Sequence, residues 1–238
     1  IDFTLKDATK LTEMVDLVVA DQHDQKYSEN SGTVNFKFGH ILSKVLFKVK
    51  LKNALSGNTR IFVKKLEILG TTNNGTSKFY TKAEYKNQHW QYDAANIPAT
   101  DFDVANIMNV AAVSGVGDYT KTAIEATTSA KSLFKDGEFL FLIPVNDSET
   151  PGVETGTTAN GEIKVRLTYD AITPDVNDPT NKYLVSETEA LVDLPSGALK
   201  LGTAYIYTFN LALNPVQVTV DDAITDWKDG TSGDTGDI

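Results

Sequence analysis

From residue 199 to residue 213 apolar side chains recur at every second position. Leu199, Leu201, Tyr205, Tyr207, Phe209, Leu211 and Leu213 share one parity, and only Thr203 interrupts them. A period of two sets such side chains on one face of a β-strand, whereas a helix would scatter them around its axis. Asn214-Pro215 breaks the run, after which Val216, Val218 and Val220 resume it ahead of Ile224 and Trp227. The stretch predicts two consecutive strands with a short connection, and it commits the chain to a β fold.

Residues 33–52 repeat the signal with a shift. Val34, Phe36 and Phe38 have even parity, while Val45, Phe47, Val49 and Leu51 have odd parity. A one-residue slip turns every side chain to the other face of a sheet, so Gly39-His40-Ile41-Leu42 is expected to hold a bulge or a corner. Lys44, Lys48, Lys50 and Lys52 then line a wet face. Gly57-Asn58 marks a turn before a further strand at 61–69, and Thr71-Thr72-Asn73-Asn74-Gly75-Thr76 reads as a turn or linker.

Beyond that linker, residues 78–136 carry aromatics scattered through polar sequence and define no clear element. Residues 137–145 (GEFLFLIPV) are apolar on both parities, as expected of a central strand covered on both sides. Alternation returns at Ile163, Val165, Leu167 and Tyr169, and again at Tyr183, Val185 and Leu191, with a long polar connection from Asp170 to Asn181. Repeated short strands bounded by turn signals predict antiparallel sheets in an all-β sandwich. With 238 residues and domains of roughly 100–150, two domains are expected, 1–75 and 76–238, the second closing in an acidic tail.

The formal net charge of -10, from 22 basic and 32 acidic residues, repels phosphate backbones and anionic lipid surfaces, so nucleic acid is excluded as a partner. No window of about twenty apolar residues spans a membrane, and no signal peptide precedes Ile1-Asp2-Phe3, an opening that reads as a mature or trimmed product. The absence of cysteine excludes disulfides and thiolate chemistry.

Catalytic and metal-binding patterns are equally sparse. His23 lies between Asp21 and Asp24 in a polar loop, but no second cluster stands at ligand spacing, and a solvated loop is the better reading. His40, at the parity switch, reads as a buried histidine that fixes a corner. The tail carboxylates from Asp221 to Asp237 lack the spacing of a calcium loop. No nucleophile elbow, zinc-protease or phosphate-loop motif occurs, so neither an enzyme nor a cofactor or metal site is predicted. Trp90 with Tyr92, and Trp227, have the aromatic faces that stack on sugars, although packing in a core explains each of them better.

Two groups of residues, taken in order, carry a family resemblance. Asp16-Leu17-Val18-Val19-Ala20, a loop, and Val34-Asn35-Phe36-Lys37-Phe38-Gly39-His40-Ile41-Leu42-Ser43-Lys44-Val45 are followed far downstream by Gly202, Tyr205, Tyr207, Val216 to Val220, Ile224, Asp226-Trp227 and Gly230. Together they resemble the fimbrillin family, the type V pilins and related adhesins of Bacteroidetes. Phe141-Leu142-Ile143-Pro144 is similar to the family's strand ending in L-I-P, with Val145 where the family has a polar residue.

The resemblance implies two transthyretin-like antiparallel β-sandwich domains, export as a lipoprotein and assembly at the outer surface. Only about fifteen residues precede the first motif, so the first domain is expected to be incomplete. It further implies other fimbrial subunits as partners, joined by strand exchange in which one subunit completes an open sheet edge of the next. Within such an assembly Val216, Val218, Val220, Ile224 and Trp227 are expected on the movable or donated strand. The alternative expectation is a monomeric carbohydrate-binding module at the surface, in which Trp90 and Tyr92 stack on glycans; host or bacterial surface glycans or proteins are the further partners expected of an adhesin. In either case the membrane is reached only through a lipid anchor absent from this sequence.

Overall fold

A computed structural model describes residues 1–6, 11–20, 26–31, 33–34, 36–106, 124–135, 137–145, 163–179, 182–194, 199–212 and 217–225. These residues form fifteen strands: β1 (Asp2–Thr4), β2 (Val18–Val19), β3 (Gly39–His40), β4 (Ser43–Leu51), β5 (Arg60–Ile68), β6 (Lys82–Lys86), β7 (His89–Gln91), β8 (Phe102–Asn106), β9 (Ile124–Ala126), β10 (Lys131–Ser132), β11 (Leu140–Leu142), β12 (Lys164–Pro174), β13 (Tyr183–Asp193), β14 (Thr203–Leu211) and β15 (Gln217–Thr225). A single helical turn at Tyr27–Asn30 is the longest helix among them. The all-β class read from the alternation is thus observed.

Two five-stranded sheets dominate. The first runs β10-β4-β14-β15 with β11 also on β4, and the second runs β13-β12-β5-β8 with β9 also on β5. In each, a nine-residue central strand has one long neighbour on one side and two short strands sharing its other side. A three-stranded sheet, β1-β6-β7, and the pair β2-β3 complete the described pairings. One contiguous apolar cluster draws side chains from both large sheets, including Val45, Phe47 and Phe209 of the first and Ile61, Leu66 and Leu167 of the second. Two sheets sharing one core between their faces make a sandwich.

β4 and β5 are consecutive but belong to different sheets, so the chain turns a corner between them, where Gly57 (φ 68) and Asn58 (φ 58) both take left-handed conformations. The return is longer. β14 lies parallel to β4, from Ala204 opposite Lys44 to Leu211 opposite Leu51, whereas the alternation predicts antiparallel pairing throughout. Parallel neighbours require a crossover, and here the whole second sheet supplies it. Consequently strands from both sides of residue 75 share each large sheet.

Burial follows the alternation and then exceeds it. Tyr205, Tyr207, Phe209 and Leu211 of β14 are buried as their shared parity predicts, but Ala204, Ile206 and Thr208 on the opposite parity are buried too. A strand flanked on both edges and covered on both faces has no wet side. Phe47 sits 5.7 Å from Tyr207 and 5.8 Å from Phe209 in stacked geometry, and 6.1 Å edge-on from Phe134. The expected corner at 39–42 is present: Ile41 and Leu42 are adjacent yet both buried. There His40 Nδ1 lies 2.5 Å from Asp16 Oδ2, and the Leu42 carbonyl accepts from the Gly202 amide at 3.1 Å. Gly202 has φ +60, and a Cβ there would meet the His40 carbonyl at 3.0 Å; both features explain a glycine.

Two expected strands differ. Residues 137–145 contribute only the three residues of β11, laid against one end of β4; the segment is apolar on both parities because it is a buried crossing rather than a long central strand. Residues 36–38 carry the strand alternation of 33–38 but no assigned strand, and Phe36 and Phe38 are 59% and 66% exposed.

Candidate assembly site

The closing strands stand at one end of the first sheet. β15 pairs antiparallel with β14 from Thr203 opposite Thr225 to Asn210 opposite Gln217, and among the described residues it has no other strand neighbour. Ile206 faces Asp222 and Tyr207 faces Val220, so Asp221 is an extra residue in the ladder. Such a bulge interrupts pairing and re-aims the residues beyond it. Val218 and Val220 are in register with Phe209 and Tyr207, while Ile224 is in register with Ala204, which has the other parity in β14. The sequence places these valines and Ile224 in one alternating series; the bulge divides it. Val216 and Trp227 lie outside the described residues.

Of the other expected site residues Trp90 sits in the interior and Tyr92 at its margin. Trp90, on β7, is 3% exposed, donates its indole N–H to the Ile41 carbonyl at 2.8 Å, and is flanked edge-on by Phe3 and Tyr85 at 6.1 and 5.3 Å. Tyr92 is half-buried, packs on Tyr80 with ring centroids 4.8 Å apart, and donates its hydroxyl to the Pro144 carbonyl at 2.5 Å. Both rings tie the small sheet to the L-I-P segment and the corner at Ile41, which is the core role preferred from sequence. Trp90, being buried, presents no open face of the kind a sugar stacks on.

The second sheet carries a charge network that the sequence did not reveal. Lys64 of β5 and Asp170 of β12 are both buried and lie 3.2 Å apart, and Lys64 also binds the exposed Glu187 of β13. Burial works to lower the Lys64 pKa, but its hydrogen bonds to Glu187 and Asp170 outweigh that cost and hold it above the ordinary lysine value. Arg166 reaches Asp101 at 2.8 Å and Glu67 at 3.3 Å, and Lys65 reaches Glu67 and Asp103 at 2.6 and 2.9 Å. Arg60 forks onto both oxygens of Glu125 at 2.7 Å, and this hydrogen bonding keeps the Glu125 pKa below its ordinary value. These pairs stitch β8, β9, β5, β12 and β13 side by side, so their evident work is to fix the order of strands. Among the described residues no group of three or more His, Cys, Asp or Glu is placed to hold a metal ion, and no helix is long and apolar enough to cross a membrane.

Among the described residues the fold is therefore a two-sheet β-sandwich whose first sheet ends in β15 and whose second ends in a long outer strand, β13. The chain belongs to the fimbrillin-like family, whose model matches residues 1–227. It is 34% identical over 245 residues to the fimbrium subunit Fim1C of Phocaeicola vulgatus, covering 98% of this chain and 61% of that protein. The chain thus spans less than two thirds of this relative's length. A crystal structure of a fimbrial protein from Bacteroides vulgatus superposes with a TM-score of 0.71 at 29% identity, covering 95% of this chain and 67% of the other. The family resemblance carried by Asp16 to Ala20, Val34 to Val45 and the closing strands is thereby established. The first pair of motifs meets in space through Asp16 and His40, and the second meets the first where Gly202 abuts the His40 carbonyl.

Proposed function

We propose that this chain is the sandwich portion of a fimbrial subunit that assembles at the bacterial surface by β-strand exchange, with residues 216–227 as the exchanged strand. It has a structural and adhesive role rather than a catalytic one, and it reaches the surface fimbrium by export as a lipoprotein. Its two sheets correspond to a transthyretin-like plan. One observation carries the reading. β15 is, among the described residues, an outer strand interrupted by a bulge, yet it pairs along β14, which is buried at all but one of its nine residues. Removing β15 would uncover a ready-made edge backed by the Tyr207 and Phe209 stack. An equivalent strand from a neighbouring copy would restore the same hydrogen bonds and the same register.

Deleting residues 214–238 is the test. Assembly followed by size-exclusion chromatography and electron microscopy should fall by about tenfold or more, since the exchanged ladder spans most of nine residues. Should the truncated chain fold poorly, a synthetic peptide of residues 216–227 should raise its melting temperature while leaving it monomeric. Polymerisation that is unchanged by the deletion overturns the proposal.

A further inference from the structure

Among the described residues β13 is the outermost strand of the second sheet, with part of its length close to β15. It is eleven residues long, keeps unbroken register with β12 from Lys164 opposite Asp193 to Pro174 opposite Tyr183, and among the described residues pairs with β12 alone. Open edges are commonly blunted by charge, above all lysine, by proline, by a bulge or by short length; Tyr183–Asp193 has no lysine, proline or bulge, and its only charges are Glu187, Glu189 and Asp193. Leu184 and Leu191 are instead 71% and 62% exposed, with Glu187 and Glu189 between them.

The chain also holds a short segment with the opposite need. Residues 33–38 (TVNFKF) alternate apolar and polar side chains, and 33–34 and 36–38 carry no strand assignment. Val34, Phe36 and Phe38 are exposed, and the last two rings lie 6.5 Å apart, the separation of i and i+2 side chains on one side of an extended chain. The segment has a strand's pattern, and its one charge is Lys37.

We propose that residues 33–38 of one copy add to the edge of β13 in the next. Charge selects this occupant over the others available in the same chain. A second β13 in antiparallel register about Thr188 would set Glu187 opposite Glu189, and β15 would bring Asp221 and Asp222 to an edge already holding Glu187, Glu189 and Asp193. Like charges directly opposed across a ladder destabilise it. Glu187, Glu189 and Asp193 already lie beside Lys64, Arg166 and Lys164 of their own chain, but carboxylates outnumber cations in that network; the segment with Lys37 adds a cation to it, which matters between copies that each carry a net charge of -10. Because the two surfaces differ, the contact is head-to-tail and propagates instead of closing as a symmetric dimer. The inference rests on the subunit reading above but uses a different pair of surfaces from β14 and β15.

The chain has no cysteine, so single cysteines report the contact cleanly. Side chains alternate across a ladder, so with Lys37 on the face of Glu187 the neighbouring Phe38 lies on the face of Ser186. Copies carrying Phe38→Cys are mixed with copies carrying Ser186→Cys under mild oxidation, beside a control in which the second copy carries Val176→Cys, a fully exposed position in the β12–β13 loop. The expected result is a disulfide-linked heterodimer at about ten times the control yield, falling to the control level when Lys37→Glu is added. Equal yields from Ser186→Cys and Val176→Cys overturn the proposal, as does indifference to Lys37→Glu. All of these positions are exposed, and circular dichroism verifies that each variant is folded. Repeating the pair in copies lacking residues 214–238 separates the two ideas. A retained 38–186 bond supports this contact independently of β15. Polymers that form through β15 without the 38–186 bond overturn it and leave the exchange of β15 standing.

Discussion

Replacing Phe47 by alanine is expected to remove about 3–5 kcal/mol of folding stability, a large share of the roughly 5–15 kcal/mol that holds a domain folded. Phe47 is wholly buried on β4. Its ring is in contact distance of three others, Tyr207 and Phe209 of the parallel neighbour β14 and Phe134 of the segment after β10. Alanine loses the transfer energy of the ring and the aromatic contacts, and it leaves a cavity that rigid strands on both sides cannot close. Phe47→Leu keeps most of the volume and should cost less than half as much. Urea unfolding reads the difference as a fall in midpoint with an unchanged slope. A loss below about 1 kcal/mol in Phe47→Ala would mean that this stack is not the centre of the core.

Lys64→Met is expected to be almost as damaging, by about 3–5 kcal/mol, because it leaves the buried carboxylate of Asp170 without its lysine. Glu187, being exposed, can turn to water when the lysine is lost. The double variant Lys64→Met, Asp170→Leu should recover most of the loss, since a buried ion pair and a well-packed apolar pair of similar volume are nearly equivalent in stability. A double-mutant cycle by chemical denaturation gives the coupling directly. Additive losses would show that the two groups do not act as a pair. The pH dependence has a definite sign. Lys64 has its folded pKa raised, so its contribution is complete below the unfolded lysine value of about 10.4 and is lost as pH rises through the folded one. Acidification toward neutrality therefore leaves this contribution intact.

Much of the fold was legible because a sheet writes its period into the sequence. Tyr205, Tyr207 and Phe209 announced β14, and the parity switch between Phe38 and Val45 located the corner that Ile41 and Leu42 occupy. Short-range signals of this kind cannot show which strand lies beside which. Nothing local marks Lys64 as buried, since Asp170, the partner that permits it, is 106 residues away. The parallel pairing of β4 with β14 was hidden for the same reason. β9 and β10, of three and two residues, are strands only because β5 and β4 offer them an edge. Residues 33–38 misled in the opposite direction, having a strand's pattern although the described residues 33–34 and 36–38 carry no strand assignment. Of the candidate site, the closing strands were read in the correct order, but the bulge at Asp221 that divides Val218 and Val220 from Ile224 depends on register and could not be read from alternation.

The exchange of β15 is tested most directly at a register pair. Asn210 of β14 lies opposite Gln217 of β15, and the natural chain contains no cysteine. Copies bearing only Asn210→Cys are assembled with copies bearing only Gln217→Cys, oxidised, and resolved on a denaturing gel. If β15 is donated between subunits, a disulfide-linked dimer forms between the two kinds of copy. If β15 remains on its own chain, the mixture gives no crosslink above either copy alone, and the bond forms only within a chain bearing both cysteines. That second result would contradict strand exchange through residues 216–227.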